Sequence, residues 1–145
     1  MGDPLQRAAE PRLLNVFFYG LFMDAELLRS KGFHPMDPQP VCVPGFALRI
    51  GQRATLIPHS GSSVHGFIMK LSHNEIDRLY SEPSVRAYRA EAVSAQLTDG
   101  SYTPALCFNL VVPPAAEEAN SEYAIKLRDV ARRLQLPATY VDSIH

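Results

Sequence analysis

Apolar positions along this chain fall in short blocks separated by turn residues, and the spacing inside each block changes from one segment to the next. Leu13 to Tyr19 (LLNVFFY) is an uncharged, aromatic-rich run and reads as a strand buried on both faces. It ends in Tyr19-Gly20, yet the chain then stays apolar through Leu21, Phe22 and Met23 before reaching Asp24. A strand that only crosses a core ends in polar turn residues, so this bend inside a hydrophobic region is singled out. Asp24 is a good N-cap for a short helix over Ala25 to Lys31, which Gly32 ends.

Pro35, Pro38 and Pro40 predict a turn, followed by strands Val41 to Ile50 and Ala54 to Ile57 around a Gly51-Gln52-Arg53 turn. A second turn at Pro58 to Ser63 (PHSGSS) leads to a strand over Val64 to Leu71. Ser72-His73-Asn74-Glu75 matches the capping box and predicts a helix from His73 to about Tyr80. Asp99-Gly100 separates Arg86 to Leu97 from Tyr102 to Val111, a hairpin signal. Tyr123, Leu127, Val130, Ala131 and Leu134 recur at helical spacing until Pro137 interrupts them. About six strands and three or four helices in mixed order predict an α+β domain, and the hairpins argue against a wholly parallel sheet.

Composition narrows the picture. With 145 residues, 46% apolar and 20% charged, residues 13–145 are expected to form a single globular domain. A formal net charge of -1 gives no electrostatic case for nucleic acid, and no apolar run approaches the ~20 residues of a membrane span. Residues 1–12 are polar and proline-interrupted, so they are expected to be a disordered tail without a secretion signal, in a cytoplasmic protein. Cys42 and Cys107 lie far apart on strand-like segments and read as free thiols.

The familiar catalytic devices are absent: no phosphate-binding glycine loop, no Gly-x-Ser-x-Gly elbow, no Cys-x-x-Cys and no His-x-x-x-His. Three features remain. Glycine at the end of a strand frees the backbone conformationally and lets a ligand approach it, so Tyr19-Gly20-Leu21-Phe22 is a candidate anion-binding loop or a plain strand-to-helix turn. Glu82 follows an amphipathic helix and precedes Pro83, placing a carboxylate in a tight connection, either solvated or chemically engaged. The closing segment SEYAIKLRDVARRLQLPATYVDSI carries an apolar stripe that serves a core or a binding site. Arg53 is either a solvated turn arginine or a partner for a carboxylate.

In this order the segments resemble the γ-glutamylcyclotransferase-like family over about Val16 to Ile144. Tyr19-Gly20 is similar to that family's Tyr-Gly-Ser/Thr loop after its first strand. PGFALRIGQRATLIPHSGSSVHGFIMKLS is similar to its middle section, and Glu82 with Tyr88-Arg89 to its acidic signature. The closing segment resembles one with a Tyr early in a helix followed by Leu-Pro-x-x-Tyr.

The resemblance implies a small mixed-sheet, β-barrel-like α+β domain with flanking helices. It also implies a cofactor-independent enzyme that releases 5-oxoproline from a γ-glutamyl amino acid or γ-glutamylamine. Glu82 would be the general acid/base, with its carboxyl lifted toward neutral by burial. Tyr19, Gly20, Leu21, Phe22, Tyr88 and Tyr123 would bind the substrate. No metal, nucleic acid or membrane is implied, and the chain is expected to be a monomer or weak dimer.

Three departures stand out: Leu21 where the family has a hydroxyl, Pro83 where glycine is frequent, and Asp129-Val130 where small residues are common. Leu21 and Phe22 suit an apolar leaving amine. Alternatives from other classes stay open: a non-catalytic small-molecule-binding or interaction module of the same fold, a ligand-free structural protein, or an enzyme removing γ-glutamyl groups in metabolite biosynthesis.

Overall fold

The computed structural model describes residues 12–145. The expected tail, Arg12 apart, lies outside the described residues. Among these, five strands close into a barrel in the order β1-β3-β2-β4-β5. They are β1 (Leu13–Phe18), β2 (Met36–Ile50), β3 (Ala54–Ser72), β4 (Tyr88–Leu97) and β5 (Tyr102–Leu110). The helices α1 (Ala25–Ser30), α2 (His73–Leu79), α3 (Ser121–Arg133) and α4 (Ala138–Asp142) flank it. β1 and β5 run parallel and the other neighbours antiparallel, so this is the α+β mixed sheet that the hairpins and helical periods predict, closed into the barrel that the family resemblance implies.

The helix starts are written locally. The Asp24 side chain accepts the Glu26 N–H, and the Ser72 hydroxyl accepts the Glu75 N–H while the Glu75 carboxylate accepts the Ser72 N–H. Gly32 and Gly100 adopt φ of +90° and +89° and end α1 and the β4–β5 turn. α3 buries Ala124, Leu127 and Ala131, while Tyr123, Val130 and Leu134 from the expected stripe are only partly covered. Burying a leucine such as Leu127 contributes about 1.5–3 kcal/mol, enough to hold a marginal helix on the barrel.

Two expectations are corrected. Ala54–Ile57 and Val64–Leu71 are not separate strands joined by a turn; they form one strand, β3. Pro44 faces Ser63 and Phe46 faces Pro58, so His59 to Ser62 form a wide bulge opposite Gly45 without reversing the chain. Gly45 and Gly61 supply the positive φ values, +85° and +86°, that such a bulge needs. The expected turn at Pro35–Pro40 is instead the start of β2. Pro38 and Pro40 are exposed there, beside a register break between Met36 and Gln39 and an Asp37 φ of +51°. Proline lacks an N–H to give the ladder; Pro38 falls inside that break, and Pro40 is the second residue after it, in register with Phe67.

Side chains bridge β3 to β5. The Leu56 N–H donates to Asn109 Oδ1 at 3.2 Å, and the Leu110 N–H donates to Thr55 Oγ1 at 2.9 Å. Thr55 and Asn109 are buried, and these bonds offset the cost of removing them from water. Cys42 and Cys107 are free thiols, and no helix among the described residues is long and apolar enough to cross a membrane.

Candidate functional site

A cavity of about 530 Å³ opens where β1 ends. Every residue singled out for the site lines it: Tyr19, Gly20, Leu21 and Phe22 from the loop, Glu82, Tyr88 and Tyr123, and also Arg53. The loop exists because Leu21–Met23 form a single 3₁₀ turn, with the Met23 N–H bonded to the Gly20 carbonyl at 3.0 Å and the Asp24 N–H to the Leu21 carbonyl at 3.2 Å. The first amides of such a turn have no partner inside it, which leaves those of Leu21 and Phe22 facing other groups. Leu21's faces the Tyr123 hydroxyl.

The reason for glycine at position 20 differs from the sequence expectation. Its φ of -105° is open to any residue, so no special backbone conformation demands it. Space does: a Cβ would lie 2.6 Å from the Tyr123 hydroxyl. Gly20→Ala is therefore expected to cost about 1–3 kcal/mol through overpacking. Removing the hydroxyl in Gly20→Ala/Tyr123→Phe should recover most of that loss in a denaturation-based double-mutant cycle. Strictly additive losses would show that the two residues do not compete for one space.

The walls are aromatic. Tyr80 stacks on Phe108 with ring centroids 3.8 Å apart, and Phe22 meets both Phe18 and Tyr80 edge-on at 6.3 and 6.4 Å. Burial pushes the Tyr19 and Tyr80 phenols well above their ordinary range. It pushes Tyr88 and Tyr123 up to about 12, opposed by the Arg53 charge at Tyr88 and by the Leu21 N–H at Tyr123. All four phenols therefore stay protonated near neutral pH, as donors rather than bases. Tyr19 donates to the Phe108 carbonyl at 2.7 Å and Tyr88 to the Ala54 carbonyl, so these two hydroxyls serve the barrel while their rings line the cavity.

Glu82 opens the connection between α2 and β4. Its carbonyl accepts the N–H groups of Val85 at 3.0 Å and Arg86 at 2.9 Å, a helical turn that Pro83 suits by fixing φ at its second position. The carboxylate lies 3.6 Å from the Lys31 ammonium, with both side chains 36% exposed. The apolar burial expected of this carboxyl is not met; it shares the cavity rim with a cation.

The Gly51–Arg53 turn brings Gln52 and Arg53 to the same cavity. It is pinned by the Arg49 guanidinium, bonded to the carbonyls of Ala115 at 2.7 Å and Glu118 at 3.1 Å, and by Asn120 Nδ2 bonded to the Gln52 carbonyl at 3.2 Å. A Cβ on Gly51 would lie 2.3 Å from Pro114, so this turn and the 114–120 segment close on each other.

Sequence reasoning missed Lys31, Tyr80 and Phe108, all cavity residues. Phe108 follows the buried Cys107 on β5 and so points to the opposite face, a signal available once that strand is assigned. Tyr80 just past α2 and Lys31 at the end of α1 carry no comparable mark. Among the described residues, no three His, Cys, Asp or Glu side chains converge to hold a metal ion.

Residues 16–129 match the family described as "Gamma-glutamyl cyclotransferase, AIG2-like". No curated protein matches the chain significantly. Similar solved structures include one named "Gamma-glutamyl cyclotransferase" (17% identity, TM-score 0.76, covering 92% of this chain and 89% of that one). Another is the uncharacterized protein loc79017 from Homo sapiens (18%, 0.75, 92% and 88%). A third is YkqA from Bacillus subtilis (20%, 0.73, 95% of this chain and 54% of that one). At these identities the structures establish the shared fold, and the family match spans most of the chain. The chain belongs to the gamma-glutamyl cyclotransferase, AIG2-like family.

Proposed function

We propose that the chain cyclises a γ-glutamyl amide, releasing 5-oxoproline and an amine, with Glu82 as general acid/base. The observation that carries this reading is that the Glu82 carboxylate and the Tyr19–Phe22 loop face one aromatic-walled cavity. A volume of about 530 Å³ suits a small γ-glutamyl compound and is ample for a folded-back conformer.

The substrate α-amine attacks its own γ-carbonyl carbon, forming the ring C–N bond, and the bond from that carbon to the leaving amine breaks. Glu82 takes one proton from the α-ammonium before attack and gives it to the departing nitrogen; the ring nitrogen sheds a second proton after attack, through the same carboxylate, to the released amine, which leaves as its ammonium ion. The amide of Phe22 stabilises charge developing on the carbonyl oxygen, and a hydroxyl at position 21 is not required for that. Because the attack is intramolecular, holding the folded-back conformer accounts for up to about 7–11 kcal/mol of barrier lowering. Phe22, Tyr80 and Phe108 favour an apolar leaving amine.

Incubation with a panel of γ-glutamyl amino acids and amines is expected to yield 5-oxoproline by mass spectrometry, fastest with aromatic or branched amines. Absence of product across the panel would sink the reading. One observation favours a second: Glu82 is ion-paired with Lys31 and part-exposed, as in a binding module that retains the cavity without turnover. Saturable binding of the panel compounds without 5-oxoproline would establish that alternative.

A further inference from the structure

We propose that Lys31 holds the substrate α-carboxylate, so that Lys31 and Glu82 together clamp an α-amino-acid head group; this rests on the cyclotransferase reading of the site. The two residues come from separately anchored segments. Lys31 caps α1, its own N–H bonded to the carbonyls of Leu27 and Leu28. Behind it Gly32 turns with φ of +90°, and the buried Phe33 returns its N–H to Leu28 at 3.0 Å. Glu82 is fixed by the two backbone bonds of its turn and by Pro83. Their charges meet 3.6 Å apart on the rim of the cavity.

A pair this exposed adds little to stability, so its position is better accounted for by what it faces. A γ-glutamyl compound presents an ammonium and a carboxylate on one carbon. Set against Lys31 and Glu82, its ammonium meets the carboxylate and its carboxylate meets the ammonium, giving four alternating charges with no net charge added to the site. The α-carboxylate then does two things: it anchors the head group, and it draws the Lys31 ammonium off Glu82, freeing that carboxylate for the proton. A compound lacking it leaves Lys31 competing with the α-ammonium for Glu82. The amide of Phe22 is left for the γ-carbonyl oxygen. Arg53 is the other cation lining the cavity; it comes from the Gly51–Arg53 turn, and its charge acts on Tyr88.

The test compares γ-glutamyl anilide with its α-carboxamide in the parent protein, Lys31→Met and Arg53→Gln. The parent should favour the free α-carboxylate by about 10- to 100-fold in kcat/KM, the range one hydrogen-bonded charge supplies. Lys31→Met should erase that preference, mainly through KM, while Arg53→Gln keeps it. A preference that survives Lys31→Met, or one that follows Arg53 instead, overturns the proposal. So does an equal loss on both compounds, since that places Lys31's effect on Glu82 alone. If the parent turns over neither compound, calorimetric affinities for the same pair decide. Preference lost in Lys31→Met upholds the clamp while the cyclotransferase reading fails, and no preference or no binding in the parent overturns the clamp as well.

Discussion

Glu82→Gln is expected to lower 5-oxoproline release by about 10²–10⁴-fold, the contribution of one positioned acid/base, while the fold stays intact. The amide matches the carboxylate in shape but can neither take the α-ammonium proton nor return it. Its cost to stability is limited to the part-exposed pair with Lys31, about 0–1 kcal/mol, so the unfolding temperature should move by no more than about 4 °C. Glu82→Asp sharpens the test. It keeps the charge but withdraws it by one methylene, and displacement of about 1 Å costs on the order of 10²-fold. The measurements are initial rates for the best panel substrate and a melt of each variant. A glutamine variant within threefold of the parent would remove Glu82 from the chemistry, whatever the family resemblance implies.

Gly66→Ala should be the most damaging of the glycine substitutions. A Cβ there would lie 2.2 Å from the Phe18 carbonyl oxygen and 3.0 Å from the Phe17 ring. The oxygen belongs to β1, whose Phe18 pairs with Phe67, so relief requires prising β1 from β3 rather than turning a side chain. A loss of about 3 kcal/mol or more is expected, at or beyond the top of the overpacking range, lowering the unfolding temperature by about 10 °C. Gly61→Ala is the control. Its φ of +86° imposes strain of about 1–2 kcal/mol, but nothing lies within 4 Å of the added atom. Chemical denaturation of both variants decides: the account fails if Gly61→Ala proves the worse, or if Gly66→Ala unfolds like the parent. Because Phe18 immediately precedes Tyr19-Gly20, surviving Gly66→Ala protein should also lose activity.

What the sequence disclosed follows from how locally each feature is determined. The capping box at Ser72 and Glu75, the Asp24 cap and the Asp99-Gly100 turn depend on residues within a few positions, and each stands where the pattern placed it. The β3 bulge did not yield to that reasoning, because Pro58 to Ser63 has the composition of a reversing turn. Only the pairing of Pro44 with Ser63 and of Phe46 with Pro58 across the sheet keeps the strand running on. Gly20 was legible as a special position for the wrong reason: its neighbour Tyr123 is about a hundred residues away, so the steric demand is invisible in sequence. Glu82 was singled out by its place between helix and proline, but its role as acid/base came only through the resemblance. Its meeting with Lys31 joins the ends of two helices that nothing in the chain's periodicity ties together.

Both tethered phenols, Tyr19 on Phe108 and Tyr88 on Ala54, moor the cavity floor to main-chain carbonyls. An incoming molecule therefore meets rings whose rotamers were set when the barrel closed, and little affinity is lost to ordering them. On the proposed clamp, discrimination falls instead to Lys31, exposed at the rim, where replacement disturbs folding little. Floor and rim are thus separately adjustable. Recognition can drift by single surface changes, whereas altering the floor loosens the contacts that hold neighbouring strands, so variants with new preferences should arise at the rim first.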